Sequence, residues 1–430
     1  MNFRPVAALL GSLVLLLQAC GHGEPPNVPA PGELAASSKQ RIVSAAPQGD
    51  IDQTVDSATT FAFDVYRKLG SESPNTAFSP YSVGVALSLT YPGARGTTQK
   101  AFEDVLHLKL DAAKHHRAMN GIDAALQSRG VGASGRDGKP FRLRANNQLF
   151  GQKGQHFESP FLDVLAEEYG AGLRLLDFHG DAEGSRKQIN DWVSTNTEQL
   201  IPELLKQGTI DSGTVLALVN TLYFNGAWKK PFSANATADA PFKRADGSQV
   251  QVKMMSAEDV PLRYADSGGT EVFEVPYQND EVSMVLLVPP AGKLGELEQS
   301  LDGAKVRQLI GMLQDENVGL KLPRFEARTQ VELKKVLGEL GLGVAFGGEA
   351  DLSGMTGEKG LRITAVVHEA VVKTDEAGTE AAAATAVVVG RVSLPQFKTI
   401  DRAFVYLIRD RATGAVLFVG RVGDPSVAAN

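Results

Sequence analysis

The sequence contains a single cysteine, Cys20, among 430 residues. One thiol excludes an intrachain disulfide, so the fold has to depend on its core. A chain of this length can bury a large core without covalent cross-links. The apolar run from Val6 to Leu17 is too short for a transmembrane helix, which needs about 20 residues.

The sequence also lacks an excess of positive charge: its 43 Lys and Arg residues are outnumbered by 50 Asp and Glu residues, which gives a net charge of −7. Phosphate binding needs concentrated Lys and Arg, so nucleic acid is not expected as a partner. The small basic cluster Lys114–Arg117 is interpreted as a solvated helix face.

Familiar catalytic motifs are missing: there is no Gly-x-Ser-x-Gly, no P-loop and no His-Glu-x-x-His. Asp266-Ser267-Gly268-Gly269 looks like the nucleophile segment of trypsin-like proteases. That chemistry also needs a histidine base and a buried aspartate, and none of the seven histidines stands in the matching context. We therefore predict a tight loop there, and neither catalytic activity, a metal nor a cofactor.

The amino end reads as an export signal. Arg4 precedes the apolar run, which ends in Leu17-Gln18-Ala19-Cys20 followed by Gly21. This ending resembles a bacterial lipoprotein box, which predicts a signal peptide over residues 1–20 and acylation of Cys20. The expected location is the cell envelope, at the outer membrane or cell surface; the alternative is an ordinary secretion signal and a soluble secreted product. Residues 21–50 are rich in Pro, Gly, Ala and Ser and are predicted to be a flexible tether.

Residues 51–430 are predicted to form one α+β domain. Apolar residues recur at helical spacing from Val55 to Leu69, and 185–200 reads as another helix. Val215 to Phe224 is a continuous apolar run typical of a buried strand. Two hairpins are expected, at 271–289 and 404–419, because turn residues separate their apolar runs. Irregular mixing of helices and strands favours α+β over a doubly wound sheet.

The segment 371–396 is chemically unusual because small residues lie between two β-branched stretches. Ala prefers helix, whereas Val and Thr prefer strand, so the segment is weakly committed to either state. With a period of two, one face carries only small or apolar side chains, and the opposite face carries Glu380. The small face consists of Thr379, Ala381, Ala383, Thr385, Val387 and Val389. Such a face can enter a narrow slot between strands.

The run from Glu376 to Thr385 closely resembles the hinge of inhibitory serpins, and further serpin motifs follow in order over nearly all of 51–425. They include Phe78-Ser79-Pro80, Gly93–Thr98, Asn220–Trp228, Leu322–Phe325, Ala350–Met355 and Phe418–Val422. The resemblance implies the serpin fold: a single domain with a large central mixed β-sheet, two smaller sheets, about nine helices and an exposed reactive-centre loop.

The resemblance also implies an irreversible suicide-substrate inhibitor of extracellular serine proteases. A target protease forms an acyl-enzyme with the loop, which then inserts as a strand and distorts the protease. The family's spacing puts the cut at Val392-Ser393, which suits elastase-like or subtilisin-like enzymes. A shift of one residue, to Arg391-Val392, would suit trypsin-like enzymes. A further alternative is a non-inhibitory serpin acting as a binding or chaperone protein, although the alanines of the hinge disfavour it.

Residue roles carry over by position. The hinge comprises Glu376, Gly378, Thr379, Glu380, Ala381, Ala382, Ala383, Ala384 and Thr385. The shutter beneath the opening strands comprises Ser79, Ser82, Asn220 and His368. The breach, where insertion begins, comprises Trp228, Arg324 and Glu376, and an ion pair is predicted between Arg324 and Glu376. The expected partners are target serine proteases and, through Cys20, a membrane; the protein is expected to be a monomer.

Overall fold

The computed structural model of the protein describes residues 28–43, 46–69, 73–379 and 396–427. The α-helices are α1 Gln48–Leu69, α2 Pro80–Thr90, α3 Gly96–Val105, α4 Ala112–Gln127, α5 Ser159–Tyr169, α6 Ala182–Asn196, α7 Leu294–Ser300, α8 Gly303–Gly311, α9 Lys334–Glu339 and α10 Ser353–Thr356. The strands are β1 Glu33–Ala35, β2 Asn75–Phe78, β3 Arg142–Gln152, β4 Leu173–Leu176, β5 Leu216–Ala227, β6 Ala238–Lys243, β7 Gln249–Ser267, β8 Thr270–Pro276, β9 Val282–Val288, β10 Gln314–Pro323, β11 Phe325–Glu332, β12 Ala365–Thr374, β13 Gly378–Thr379, β14 Phe397–Thr399, β15 Phe404–Asp410 and β16 Val416–Val422.

Among the residues that the structure describes, a mixed sheet of seven strands dominates the fold, in the order β1-β4-β3-β5-β13-β12-β11. Strands β5 and β12 run parallel and are bonded directly from Ala217↔Ala365 to Leu222↔Ala370. Beyond Leu222 and Ala370, toward the carboxyl ends of both strands, the two-residue strand β13 lies between them, antiparallel to both. The central sheet is therefore already parted at one end.

A second set of nine strands follows the path β14-β10-β7-β8-β9-β15-β16-β2, with β6 paired to β7. The two smaller sheets that were expected are joined, because β7 is 19 residues long and pairs with β6, β10 and β8. The predicted hairpins appear as β8–β9 and β15–β16. The main core fills the space between the two sheets, and its members include Phe224, Val285 and Tyr406.

Local chemistry accounts for where the elements begin. Ser79 caps α2, because its hydroxyl accepts from the Ser82 N–H and Pro80 occupies the first turn. Asp181 caps α6 in the same way through the Gly184 N–H. Helix α6 then packs Ile189 and Val193 against the outer face of the central sheet and so forms a second core.

Part of the segment predicted to be a flexible tether forms defined structure. Glu33–Ala35 make strand β1 on the edge of β4, and helix α1 begins at Gln48, before the predicted domain start at 51. Ala30 is buried in the second core. The composition did not reveal this docking, because the stabilising contacts come from residues far along the chain.

Two features proposed to be non-catalytic have ordinary structural roles. Ser267 pairs with Thr270 across the β7–β8 hairpin, as the predicted tight loop requires. The basic cluster is not a fully solvated face, because His115 and His116 are buried and Arg117 forms a salt bridge with Glu168 at 2.7 Å. Among the described residues, no helix has the length and apolar character needed to cross a bilayer.

Candidate functional site: the opening end of the central sheet

The candidate site begins where β12 ends at Thr374. The chain reverses over 375–377, closed by the Asp375 N–H donating to the Gly378 carbonyl at 2.9 Å, and β13 returns along β5. A side chain at Gly378 would not fit, since a Cβ there would lie 2.2 Å from the Gly226 carbonyl oxygen. The first residues of the predicted hinge therefore already occupy the sheet.

The breach surrounds this turn. The Trp228 indole stacks on Tyr277 at 4.5 Å between ring centroids and donates to the Asp375 carbonyl at 2.9 Å. The backbone N–H groups of Trp228 and Phe232 donate to the carbonyls of Ala377 and Glu376. The turn is thus held by aromatic packing and backbone hydrogen bonds together.

The predicted ion pair between Arg324 and Glu376 is present, with nitrogen–oxygen distances of 2.7 to 2.9 Å. Thr237 also donates to the Glu376 carboxylate. Burial alone would raise the pKa of Glu376, but the hydrogen bonds from Arg324 and Thr237 outweigh it and lower that pKa. The glutamate is therefore held as an anion in the turn between β12 and β13.

Thr379, the described member of the small face, points toward the main core. Its side chain is buried and its hydroxyl lies 2.8 Å from the Tyr277 hydroxyl, on the main-core side of the sheet. Thr379 pairs with Gly226, and antiparallel pairing would continue as Ala381 with Phe224 and Thr385 with Asn220. The even-numbered β5 residues 216, 218, 222 and 224 belong to the main core. A strand continuing β13 would point its small face inward.

The shutter residues lie together at the middle of the sheet, fully buried. The Ser79 N–H donates to His368 Nε2 at 3.0 Å, and His368 Nδ1 lies 2.7 Å from Asn220 Oδ1. The Ser82 hydroxyl donates to Asn147 Oδ1 at 2.6 Å. Burial lowers the pKa of His368 to about 3, so the ring is neutral and its bond with Asn220 joins β12 to β5.

Helix α6 and the segment 197–206 that follows it, together called the cover, lie over the stretch in which β5 and β12 are directly paired. Tyr223 on β5 donates to Glu198, while Arg328 and Gln330 on β11 donate to the carbonyls of Leu200, Glu203 and Leu204. The cover therefore contacts strands on both sides of the β5–β12 junction, and any strand added between them has to pass beneath it.

The remaining predicted hinge residues and both versions of the reactive bond lie outside the described residues. They are Glu380, Ala381, Ala382, Ala383, Ala384, Thr385, Arg391, Val392 and Ser393. Cys20 also lies outside them. Two residues that the sequence did not single out belong to the site, Asn147 and Tyr277. No sequence signal marks them, because both act through contacts distant in sequence.

Comparison with known proteins identifies this architecture. Residues 56–425 match the family model described as Serpin (serine protease inhibitor). The leukocyte elastase inhibitor of Sus scrofa is 37% identical over 380 residues, which cover 85% of this chain and 98% of that protein.

Solved structures agree with the sequence match. The crystal structure of human thyroxine-binding globulin in complex with thyroxine superposes with a TM-score of 0.77 at 26% identity, over 87% of this chain and 99% of that one. The crystal structure of Serpin48 from the insect Tenebrio molitor superposes with a TM-score of 0.75 at 29% identity, over 86% of this chain and 98% of that one. These matches confirm the expected α+β fold with its mixed central sheet.

Proposed function

The chain belongs to the serpin family of serine protease inhibitors, and on that basis we propose that it is an irreversible suicide-substrate inhibitor. The observation that carries the proposal is β13, which lies between β5 and β12 while the rest of that pair is closed. The residues after Thr379 are small or apolar on the inward side. A cut loop can therefore extend β13 without burying a charge on that face.

The chemistry belongs to the target protease. Its serine hydroxyl attacks the carbonyl carbon of Val392, the Val392–Ser393 peptide bond breaks, and the new amino group of Ser393 leaves with the carboxyl-terminal fragment. Val392 remains bound as an ester to the protease serine. Insertion of the loop then carries the protease away from the hinge end and distorts its triad before water hydrolyses the ester.

We propose an elastase-like or subtilisin-like target, since the β-branched Val392 suits a shallow pocket. The similarity to a protein named leukocyte elastase inhibitor supports this class. Arg391 keeps a trypsin-like target as the alternative. The test is incubation with elastase, subtilisin and trypsin, followed by a denaturing gel and mass spectrometry. A denaturant-resistant complex and a fragment beginning at Ser393 are expected; a fragment beginning at Val392 would reject this bond.

A second candidate is a non-inhibitory serpin that binds a ligand or an unfolded protein. It is favoured by the structural likeness to thyroxine-binding globulin, whose structure contains thyroxine. The same gel distinguishes the two functions, because simple cleavage of the loop with no covalent complex would support the binding protein.

We further propose export and acylation at Cys20, which would anchor the protein to a membrane of the cell envelope. Eight peptide units separate Cys20 from Val28, whose backbone bonds to α6. Their fully extended reach is about 27 Å, so the anchor would hold α6 near the lipid surface. Lipid labelling of the wild type but not of Cys20→Ala is expected; equal partition of both into the aqueous phase would reject the anchor.

A further inference from the structure

The segment 28–43, here called the amino-terminal strap, lies across one side of the molecule, and its first residues bind the cover. The Val28 N–H donates to Asn196 Oδ1 at 2.8 Å, and Asn196 Nδ2 returns a bond to the Val28 carbonyl at 2.9 Å. Trp192 Nε1 donates to the same carbonyl at 2.8 Å. Two side chains of the last turns of α6 thus hold one residue of the strap.

The middle of the strap pairs with the central sheet. Strand β1 adds to the edge of β4, with Glu33 opposite Leu175 and Ala35 opposite Leu173. Gly32 precedes it with a φ of +93°, and a Cβ at Gly32 would lie 2.5 Å from the Leu175 carbonyl oxygen. The approach of the strap to the sheet therefore requires glycine at this position.

The last part of the strap is bound to helix α4. Arg41 donates to Asn120 Oδ1 at 2.9 Å and to Asp123 at 2.6 Å, and Asn120 donates to the Ile42 carbonyl at 2.8 Å. Asp123 also accepts from Tyr81 of α2 at 2.9 Å. This end is fastened to helix α4, and through Asp123 indirectly to α2, whereas the other end is fastened to the cover and the sheet edge.

We propose that the amino-terminal strap is a brake on insertion of the reactive-centre loop, an inference that rests on the proposed insertion mechanism. Insertion separates β5 from β12 over Leu222–Ala217 and Ala370–Ala365, so the β4-β3-β5 side has to move relative to β12-β11. The cover has to move too, because its Val193 packs in one core with Val219 of β5 and Val367 of β12. The strap links these moving parts to α4.

The direction of the effect follows from this geometry. The strap's contacts are formed in the closed state and strained when the sheet opens, so they raise the barrier to insertion. A variant with an unseated strap inserts its loop faster. A loss of about 1.4 kcal/mol from the barrier corresponds to a tenfold higher rate.

The test uses the full chain with Gly32→Val, which unseats the strap without altering any residue of α4, α6 or β4. Gly49→Val is the matched control, because its Cβ would meet no atom within 4 Å. Ala30→Asp, which places a charge in the second core, is a second variant that attacks the same end of the strap at its contact with the cover. Faster hydrogen exchange of the backbone amides of residues 173–175, which pair with β1, verifies that the strap has left the edge of the sheet.

The rate of covalent complex formation with the inhibited protease and the rate of spontaneous conversion to a urea-resistant form are measured. Roughly tenfold increases in Gly32→Val and Ala30→Asp, with wild-type rates in Gly49→Val, are expected. Unchanged rates with a lowered melting temperature would make the strap a structural brace and overturn the brake. Failure of the wild type to insert at all would instead reject the proposed function.

Discussion

Under the proposed insertion, Thr379 sets which face of the loop points inward. Its buried hydroxyl contacts Tyr277, so Thr379→Arg places an unpaired charge in the core at a cost of several kcal/mol. We expect this variant to be cut as a substrate and to form little covalent complex, measured as the stoichiometry of inhibition on a denaturing gel.

The matched control puts the same side chain one residue later. Glu380 belongs to the opposite face by alternation, so Glu380→Arg should retain most of the inhibition. Full inhibition by Thr379→Arg, or equal loss in both variants, would contradict the assigned orientation.

Arg324 stabilises the turn between β12 and β13 through Glu376. Arg324→Ala should lower the stability of the intact form by about 1 kcal/mol, because the arginine is 46% exposed while the glutamate is largely buried. The expected fall in melting temperature is about 1–2 °C. The control is Lys253→Ala, which breaks an exposed salt bridge with Asp239 and should lower the melting temperature less.

The same pair has a predictable pH dependence. Since the pKa of Glu376 is lowered in the folded protein, its stabilising contribution is complete above the unfolded pKa of about 4.5 and is lost as the pH falls through the folded value. The difference between wild type and Arg324→Ala should therefore shrink below about pH 4. A difference that grows on acidification would show that the ion pair is not its source.

At the scale of elements, β13 fixes the register of the strand that insertion would add. Thr379 pairs with Gly226, so residue 387 would lie opposite Leu218. Antiparallel partners have Cα distances that a disulfide can bridge. In a Cys20→Ser background, Val387→Cys with Leu218→Cys should cross-link only after the loop is cut, detected by mass spectrometry.

The control for this cross-link moves one cysteine by one residue. Val387→Cys with Ala217→Cys places the two thiols on opposite faces of the sheet, because side chains alternate. Efficient cross-linking of the control pair, or of the test pair before cleavage, would show that the inserted register is different.

Elements with a strong local pattern were predictable from the sequence. Strand β5 follows from a continuous apolar run, the β8–β9 and β15–β16 hairpins follow from their turn residues, and Ser79-Pro80 marks the start of α2. Strand β1 was not predictable, since Glu-Leu-Ala has no alternating pattern. Its position depends on the edge of β4, more than 130 residues away.

At the scale of the whole molecule, three buried histidines couple folding to pH. Burial lowers the pKa of His115 to about 4. Burial and the neighbouring charge of His115 together lower the pKa of His116 to about 3. Burial lowers the pKa of His368 to about 3. In the unfolded chain each should titrate near pH 6.5. Unfolding therefore takes up protons at pH values between the folded and the unfolded pKa of each histidine. The free energy of unfolding falls as the pH drops below about 6.5, by up to about 1.4 kcal/mol per pH unit for each histidine.

Proton uptake on unfolding at pH 5 measures this coupling. His368→Gln and His115→Gln should each reduce the uptake by about one proton. Equal uptake in all three proteins would contradict the neutral, buried state of these rings.

The whole account depends on whether the cut loop becomes a strand of the central sheet. A crystal structure of the protein cleaved in its reactive-centre loop tests this most directly. We predict that residues after Thr379 will separate β5 from β12 along their length, with Thr385 opposite Asn220 and the His368–Asn220 bond broken. A cleaved structure in which β5 and β12 remain paired from Ala217 to Leu222 would contradict the mechanism.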